Sequence, residues 1–438
     1  MNIESNIPIT TEKFQTVRFL FFLYYYPPLH GSAAKRNYLI ASELIRRISF
    51  ARIFTATKLE KGSSPGENVE TVKASDYRSI LRKKTKDGAL PETSKESKWM
   101  QFVIRLINTF PINILAGEGG LFYFVRLLQK GQRSIKDDKI THLYSSYRPF
   151  ADHYAAYILK NRHPHLFWIA DFRDLIIDPH YNHIYFPIVQ QGFYKRVFKK
   201  ADLLTTVSNG LSKHLKEYNN SVITLRNGIR NIPSEIIPVH CKYFKLAYTG
   251  SMFLDKRNAK PIFVAVKELI DESKLIRNDL RIIYAGKDDS NWIDLATGYD
   301  LLPILDTRGI VSGAEANLIQ LNACINILLT VASDQLDGVL TGKMIEYFES
   351  GSPVLAVVVN QNDPELQSIL TELEIGESFS DRKEDLHLIK EFIYNEYQHW
   401  KRTGTNRKPV NMDILREKYS VESTMKPLYM TLYNSAIT

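Results

Sequence analysis

The chain has 438 residues, 44% hydrophobic and 24% charged, with 57 Lys+Arg against 48 Asp+Glu for a net charge of +9. That length calls for two domains of roughly 200 residues, and the mixture of apolar and charged residues is that of a globular protein. The basic excess suits an anionic ligand or membrane surface but comes with no nucleic-acid module. Cys241 and Cys324, the two cysteines, exclude a disulfide scaffold and a cysteine metal site.

Met1-Asn2-Ile3-Glu4-Ser5 lacks the basic-then-apolar order of a signal peptide, and no apolar run approaches the ~20 residues of a spanning helix. A cytoplasmic protein is therefore expected, and a peripheral position at the inner membrane face stays open. Val17 to Tyr26 is an aromatic, apolar run that reads as a buried first strand. The turn from Pro27 to Arg36 contains Gly31 and Ser32, and the spacing of Tyr38, Leu39, Ala41 and Leu44 predicts a helix over 37–47. Such a strand–loop–helix unit sets backbone N–H groups at the C-terminal edge of a sheet, where α/β proteins bind ligands. The loop is not a G-x-G-x-x-G, so it is not a dinucleotide fingerprint.

A second strand is expected over 51–58, followed by a polar, loop-rich insert over 59–97 with the basic cluster Arg82-Lys83-Lys84. From Trp99 to Leu128 apolar residues mix with Arg105 and Arg126. This stretch is either a pair of core helices or a basic amphipathic surface suited to a membrane. Another βα unit begins at Ile140. The short strand Leu166 to Ala170 then runs into Asp171-Phe172-Arg173-Asp174. Charged side chains just past a strand's C-terminal end sit where α/β active sites are built; an Asp–Arg pair that merely fixes the loop is the competing reading. A basic helix over 194–200, strands over 201–208 and 222–225, and Arg226-Asn227-Gly228 complete the first half.

Residues 232–238 have linker composition. A new strand starts at Phe244 and turns at Thr249-Gly250-Ser251, and its loop carries Lys256 and Arg257. A helix through 263–269, a strand over 280–285 ending at Gly286, a capping box from Ser312 to Glu315 and a strand over 326–330 follow. The second half thus repeats the β-α alternation of the first. The expected architecture is α/β, with two Rossmann-like doubly wound domains facing across a cleft that is the natural binding site. Expected boundaries are 1–232, 239–410, and a helical segment 411–438 that returns towards the first domain.

The stretch Leu336 to Ala356 reads as a loop, a short helix, a Gly stop and a buried strand. Thr341 and Gly342 open the helix, and Gly351 and Pro353 close it. Free N–H groups at the helix start, with the charge of Lys343 beside them, make an anion site. Glu346, one turn on, can accept hydrogen bonds from a sugar's hydroxyls. Phosphate at the first and ribose at the second describe a nucleotide diphosphate. A capping Thr341 with a solvated Lys343 is the plainer alternative.

Together these pieces resemble the retaining GT-B glycosyltransferases of the large family that includes many bacterial capsule and lipopolysaccharide sugar transferases. The residues that carry the resemblance are Tyr25-Tyr26-Pro27-Pro28 with Gly31, Ala201-Asp202 through Val207-Ser208, Arg226-Asn227-Gly228, Tyr248-Thr249-Gly250 with Lys256, and Gly342 to Tyr347 with Gly351 to Val354. The resemblance implies a nucleotide-sugar donor in the second domain and a glycan or polyprenyl-linked acceptor in the first. It implies Lys256, Arg257 and Lys343 at the donor diphosphate, with Gly250, Ser251, Gly286, Thr341, Gly342 and Glu346 also at the donor, and Gly31, Ser32 and Arg173 on the acceptor side. Asp171 stands where many members have a His near the reacting sugar. Two further departures are Gly338, where the family's first Glu of a Glu-x7-Glu pattern would lie, and Ser251 in place of an Arg.

The expected reaction is transfer of a sugar from a nucleotide-diphosphate donor. Asp171, Lys256 and Lys343 carry the chemistry, no cofactor is needed beyond the donor, and, with no Asp-x-Asp in the chain, no metal. A nucleotide-sugar epimerase on the same fold and a catalytically degenerate subunit of a glycan-assembly complex are the rival readings. Contact with an anionic membrane is also expected, and nucleic acid is not a partner.

Overall fold

The computed structural model describes residues 14, 16–29, 31–56, 68–74, 98–177, 183–252, 257–287, 289–333, 338, 340 and 342–435. Apolar runs of the kind that begins at Val17 have no polar face to show water, so they form strands covered on both sides. The first sheet holds β1 (Arg18–Phe22), β2 (Phe50–Thr55), β3 (Val69–Thr71), β4 (His142–Tyr147), β5 (Phe167–Phe172), β6 (Leu203–Thr206) and β7 (Val222–Thr224), of which the half-buried β3 and β7 are the edges. They lie in the order β3-β2-β1-β4-β5-β6-β7, and every pairing is parallel.

The second sheet holds β8 (Phe244–Thr249), β9 (Leu280–Ala285), β10 (Leu305–Thr307), β11 (Ile325–Ala332), β12 (Val354–Asn360) and β13 (Gly376–Ser380). Their order is β10-β9-β8-β11-β12-β13, again parallel throughout. In each sheet the chain winds outward one way, then returns and winds the other. The switch points fall between β1 and β4 and between β8 and β11. At a switch point the loops after the two neighbouring strands part and leave a crevice at their C-terminal ends.

Helices that serve the argument are α1 (Ser32–Ile45), α2 (Lys98–Asn108), α3 (Gly120–Asp137), α4 (Phe150–Arg162), α5 (Pro187–Phe198), α6 (Lys260–Asp271), α7 (Gly313–Leu321), α8 (Gly342–Ser350), α9 (Pro364–Glu372), α10 (Leu386–Thr403) and α11 (Val421–Ser435). The chain divides into two compact units, Met1–Arg226 with Met425–Thr438, and Asn227–Thr424. The division thus falls six residues before the expected 232, and the return to the first unit starts within α11, not at 411.

Some elements differ from expectation. Residues 69–71, inside the segment read as loop, form edge strand β3 beside β2. The helix expected from 37 starts at Ser32, because Gly31 at φ 136 turns the chain there. Ser312 does cap α7, its hydroxyl accepting the Glu315 N–H at 3.2 Å. In the second unit, the buried rings of Tyr248, Tyr284 and Trp292 pack at centroid distances of 5.1 to 6.0 Å. These aromatic contacts hold the C-terminal ends of β8 and β9 rigid beneath the switch point.

Candidate functional site

The crevice between β8 and β11 is walled by the turn after β8 and by the start of α8. Lys343 is the second residue of α8. Its Nζ is buried, has no hydrogen-bond partner among the described residues, and sits 4.3 Å above the Tyr248 ring. Gly250 is held there by its N–H, which donates to the Ala285 carbonyl at 2.6 Å. Its φ of +125 favours glycine, and an ideal Cβ there would lie 1.8 Å from Lys343 Nζ, so a side chain would have to displace the ammonium. Gly286 faces the same turn, since a Cβ on it would come within 2.2 Å of the Gly250 carbonyl oxygen.

Burial lowers the Lys343 ammonium to about 7, and the nearby Arg257 guanidinium adds to the effect while Glu346 opposes it. A buried cation without a partner is a costly state that an anion would relieve. Arg257 is braced, donating to Tyr248 Oη at 3.0 Å and to the Ser251 carbonyl. Glu346 Oε2 accepts from Gln320 Nε2 at 3.3 Å, and the same amide donates to Thr249 Oγ1 at 2.8 Å. Gln320 on α7 is 1% exposed, so it fixes the carboxylate relative to the end of β8.

The loop that enters α8 is pinned from outside. Asp363, fully buried, accepts the Gly338 N–H at 2.8 Å on one oxygen, and the Glu365 and Leu366 N–H groups at 3.0 and 3.1 Å on the other. It is at once the N-cap of α9 and the anchor of the approach to Lys343.

Of the expected donor residues, Gly250, Ser251, Arg257, Gly286, Gly342, Lys343 and Glu346 thus lie around one switch point. Lys256 and Thr341 fall outside the described residues. Gln320 and Asp363 were not foreseen, and Tyr248 entered only as part of the Tyr248-Thr249-Gly250 resemblance. Asn362-Asp363-Pro364-Glu365 carries a readable signal, a capping Asp before a Pro at the first helical position. Gln320 has none, because it acts through Thr249 and Glu346, both distant in sequence.

In the first unit the expectation for Asp171 needs correction. Asp171 lies within β5, not beyond its end, and is fully buried. Arg36 on α1 grips both of its oxygens, Nε to Oδ2 at 3.0 Å and Nη2 to Oδ1 at 2.6 Å, and Thr205 Oγ1 adds a bond of 2.6 Å. Burial alone would raise the carboxyl, but the Arg36 charge and hydrogen bonds carry it below the ordinary value. Arg36 also donates to the Leu225 carbonyl at 2.7 Å, so the pair ties α1, β5 and the end of β7 together. Asp171 therefore ties α1 to β5 and has no exposed surface of its own. Arg173 does not pair with it through a hydrogen bond but donates to the Tyr147 carbonyl at 3.1 Å. Gly31 and Ser32 form the entry to α1, where a Cβ on Gly31 would meet nothing within 4 Å.

No protein-family model matches the sequence, and no curated protein matches it either. Solved structures do match. TarM superposes with a TM-score of 0.59 at 10% identity, covering 97% of this chain and 100% of its own. A sucrose-phosphate synthase from Thermosynechococcus elongatus gives 0.58 at 11% identity over 96% of this chain and 100% of the other. The lipopolysaccharide outer core galactosyltransferase WaaB gives 0.54 at 10% identity over 96% and 99%. The chain has the GT-B fold of these glycosyltransferases, two Rossmann-like parallel-sheet units in a single polypeptide.

Proposed function

We propose that this protein is a glycosyltransferase that takes a sugar from a nucleotide-diphosphate donor and passes it to a glycan or lipid-linked acceptor. The observation that carries the reading is the buried Lys343 ammonium at the start of α8, which has no hydrogen-bond partner among the described residues. With Arg257 beside it, this site presents positive charge and helix N–H groups to an anion, while Glu346 is one turn further along. Sugar transferases share the fold, and WaaB acts, by its name, in lipopolysaccharide outer core assembly.

In the proposed reaction the bond between the anomeric carbon and the diphosphate oxygen breaks as the acceptor hydroxyl attacks, and the hydroxyl's proton passes to the leaving diphosphate. Negative charge then gathers on the leaving diphosphate. Fixed cations need no reorganisation to stabilise it, and loss of one such donor typically costs about 3 kcal/mol. Lys343, Arg257 and, from the sequence, Lys256 fill that role. Glu346 accepts hydrogen bonds from the ribose. Retention of anomeric configuration is part of the proposal and rests on the family resemblance.

Two observations favour a second reading. Gly338 replaces the first carboxylate of the family pattern and Asp171 is sealed in a buried ion pair, as in a subunit that binds the donor without transferring sugar. Donor turnover measured with and without a glycan acceptor separates the two. Acceptor-dependent release of nucleoside diphosphate supports transfer, and tight binding with no release under any acceptor supports the binding subunit.

A further inference from the structure

We infer that Cys241 and Cys324 form a reversible redox pair, which closes to a disulfide when the protein meets a peroxide and reopens with a dithiol reductant. They are the two cysteines of the chain, and each stands just ahead of a strand, Cys241 before β8 and Cys324 before β11. β8 and β11 are parallel neighbours, with Ile325 beside Leu246. Both thiols therefore come to the N-terminal edge of the second sheet, at the far end of these strands from the crevice that holds Lys343. The contacts between them are reciprocal. The Cys241 sulfur lies 3.4 Å from the carbonyl oxygen of Asn322, two residues before Cys324. The Cys324 sulfur lies 3.9 Å from the carbonyl oxygen of Tyr243, two residues after Cys241. The thiols also share a hydrogen bond with each other, so a small shift brings the sulfurs to the ~2 Å of a disulfide.

The backbone on both sides is held in register. The Cys241 N–H donates to the Gly404 carbonyl at 2.9 Å, and its own carbonyl accepts from Trp400 Nε1 on α10 at 2.7 Å. The Cys324 N–H donates to the Lys245 carbonyl at 2.9 Å. In the turn that leads into Cys324, Asn406 Nδ2 donates to the Leu321 and Ala323 carbonyls at 2.8 and 2.9 Å, and Lys408 Nζ to the Leu321 carbonyl at 2.8 Å. Neither sulfur can turn away from the other without breaking these bonds.

The two thiols are not equivalent. An ordinary buried cysteine is a small apolar filler whose pKa burial raises. Here the hydrogen bond from Cys324 holds the Cys241 thiol below its usual value against burial, and the charges of Lys245 and Lys408 act in the same direction. The same bond, with burial, pushes Cys324 up. The thiolate is the reactive form, so Cys241 reacts first and Cys324 keeps its proton for the second step. Both are 1% exposed, but Cys241 sits between the exposed His240 and Lys242, a depth that suits an oxidant as small as hydrogen peroxide. The Cys241 thiolate attacks one peroxide oxygen. The S–O bond forms as the O–O bond breaks, and the departing hydroxide takes a proton to become water. The Cys324 sulfur then attacks the sulfenic sulfur, the S–S bond forms as the S–O bond breaks, and the second oxygen leaves as water with the Cys324 proton. The sulfurs give up two electrons in all, and the peroxide takes them. A dithiol reverses the change by thiol–disulfide exchange. This inference stands independently of the donor site, because its test reads sulfur and no ligand.

The test exposes the folded full chain to hydrogen peroxide, quenches it, and counts free thiols after denaturation, with intact mass and linked peptides read by mass spectrometry. The expected result is a fall from two free thiols to none, a mass loss of two hydrogens, migration as a monomer and a peptide pair joining Cys241 to Cys324. Dithiothreitol should return both thiols. Cys324→Ser strands the first product, so its Cys241 sulfenic acid is captured by dimedone where the wild type gives the disulfide. In Cys241→Ser, Cys324 should oxidise at least about tenfold more slowly than Cys241 does in Cys324→Ser. The wild-type thiol count needs no variant to fold and decides the matter by itself. Thiols that persist in the folded protein and oxidise only after unfolding, disulfide-linked dimers, or oxygen gained by the sulfurs in place of hydrogen lost would overturn the inference.

Discussion

The Lys343 ammonium occupies the space that a side chain on Gly250 would need, 1.8 Å from where its Cβ would lie. The turn after β8 and the start of α8 are thus shaped to each other. Gly250→Ala forces an L-residue into φ +125 and drives the ammonium out of its seat. We expect a stability loss of about 2 kcal/mol or more and loss of nucleoside diphosphate binding, both read by thermal melts with and without ligand.

Burial and the Arg257 charge lower Lys343 to about 7 from 10.5. Between those values the unfolded chain holds a proton that the folded chain lacks, so without ligand this group's contribution to stability rises with pH across the window. A bound diphosphate favours the ammonium and raises its pKa again. Above pH 7 binding should therefore take up a proton, and affinity should fall as pH rises from about 7, with a flat profile from this group below it. Calorimetry at pH 8 in two buffers of different ionisation enthalpy checks this. Wild type should show proton uptake, and Lys343→Met should lose that component.

The Arg36–Asp171 pair predicts a pure stability effect in the first unit. Arg36→Met leaves a buried carboxylate without its partner and should cost about 3–5 kcal/mol, read by denaturant unfolding. Arg36→Met with Asp171→Leu should cost less than the sum of the single changes, since neither charge is then stranded. Because the folded-state carboxyl lies below its ordinary value, its stabilisation is present above about pH 4. It is lost as pH falls through the lower folded value.

Asp363→Ala removes the cap of α9 and the acceptor of the Gly338 N–H. The cap alone is worth about 1 kcal/mol, and a stranded buried N–H adds about 1–3 kcal/mol. The distinguishing outcome is a fall in donor affinity beyond that seen for a cap elsewhere, such as Ser312→Ala on α7. Equal donor affinity in the two variants would show that the loop before α8 holds its shape without Asp363.

Much of the fold was legible because buried parallel strands are written as apolar runs. Val354 to Val359 and Leu280 to Ala285 appear in the structure as β12 and β9 almost residue for residue. The grouping of Gly250, Lys343 and Glu346 at one switch point was legible too, since each occupies a position whose local geometry follows from a turn or a helix start. What failed was partnership across distance. Asp171 looked like an active-site carboxylate because its guanidinium partner, Arg36, lies 135 positions away. The aromatic and basic stretch around Trp99 admitted both a core and a surface reading, and the structure shows both: Tyr123, Phe124 and Leu127 face the core while Trp99, Phe102 and Phe122 face solvent.

The most direct test of the donor site is thermal stabilisation by a panel of nucleoside diphosphates and nucleotide sugars, run on the wild type, Lys343→Met and Glu346→Ala. A ligand at a hundredfold excess over Kd stabilises the folded state by about 2.7 kcal/mol. The expected result is a shift with one nucleotide class, abolished in Lys343→Met and reduced in Glu346→Ala. No shift with any ligand, or an equal shift in all three proteins, would contradict a nucleotide-diphosphate site at the start of α8.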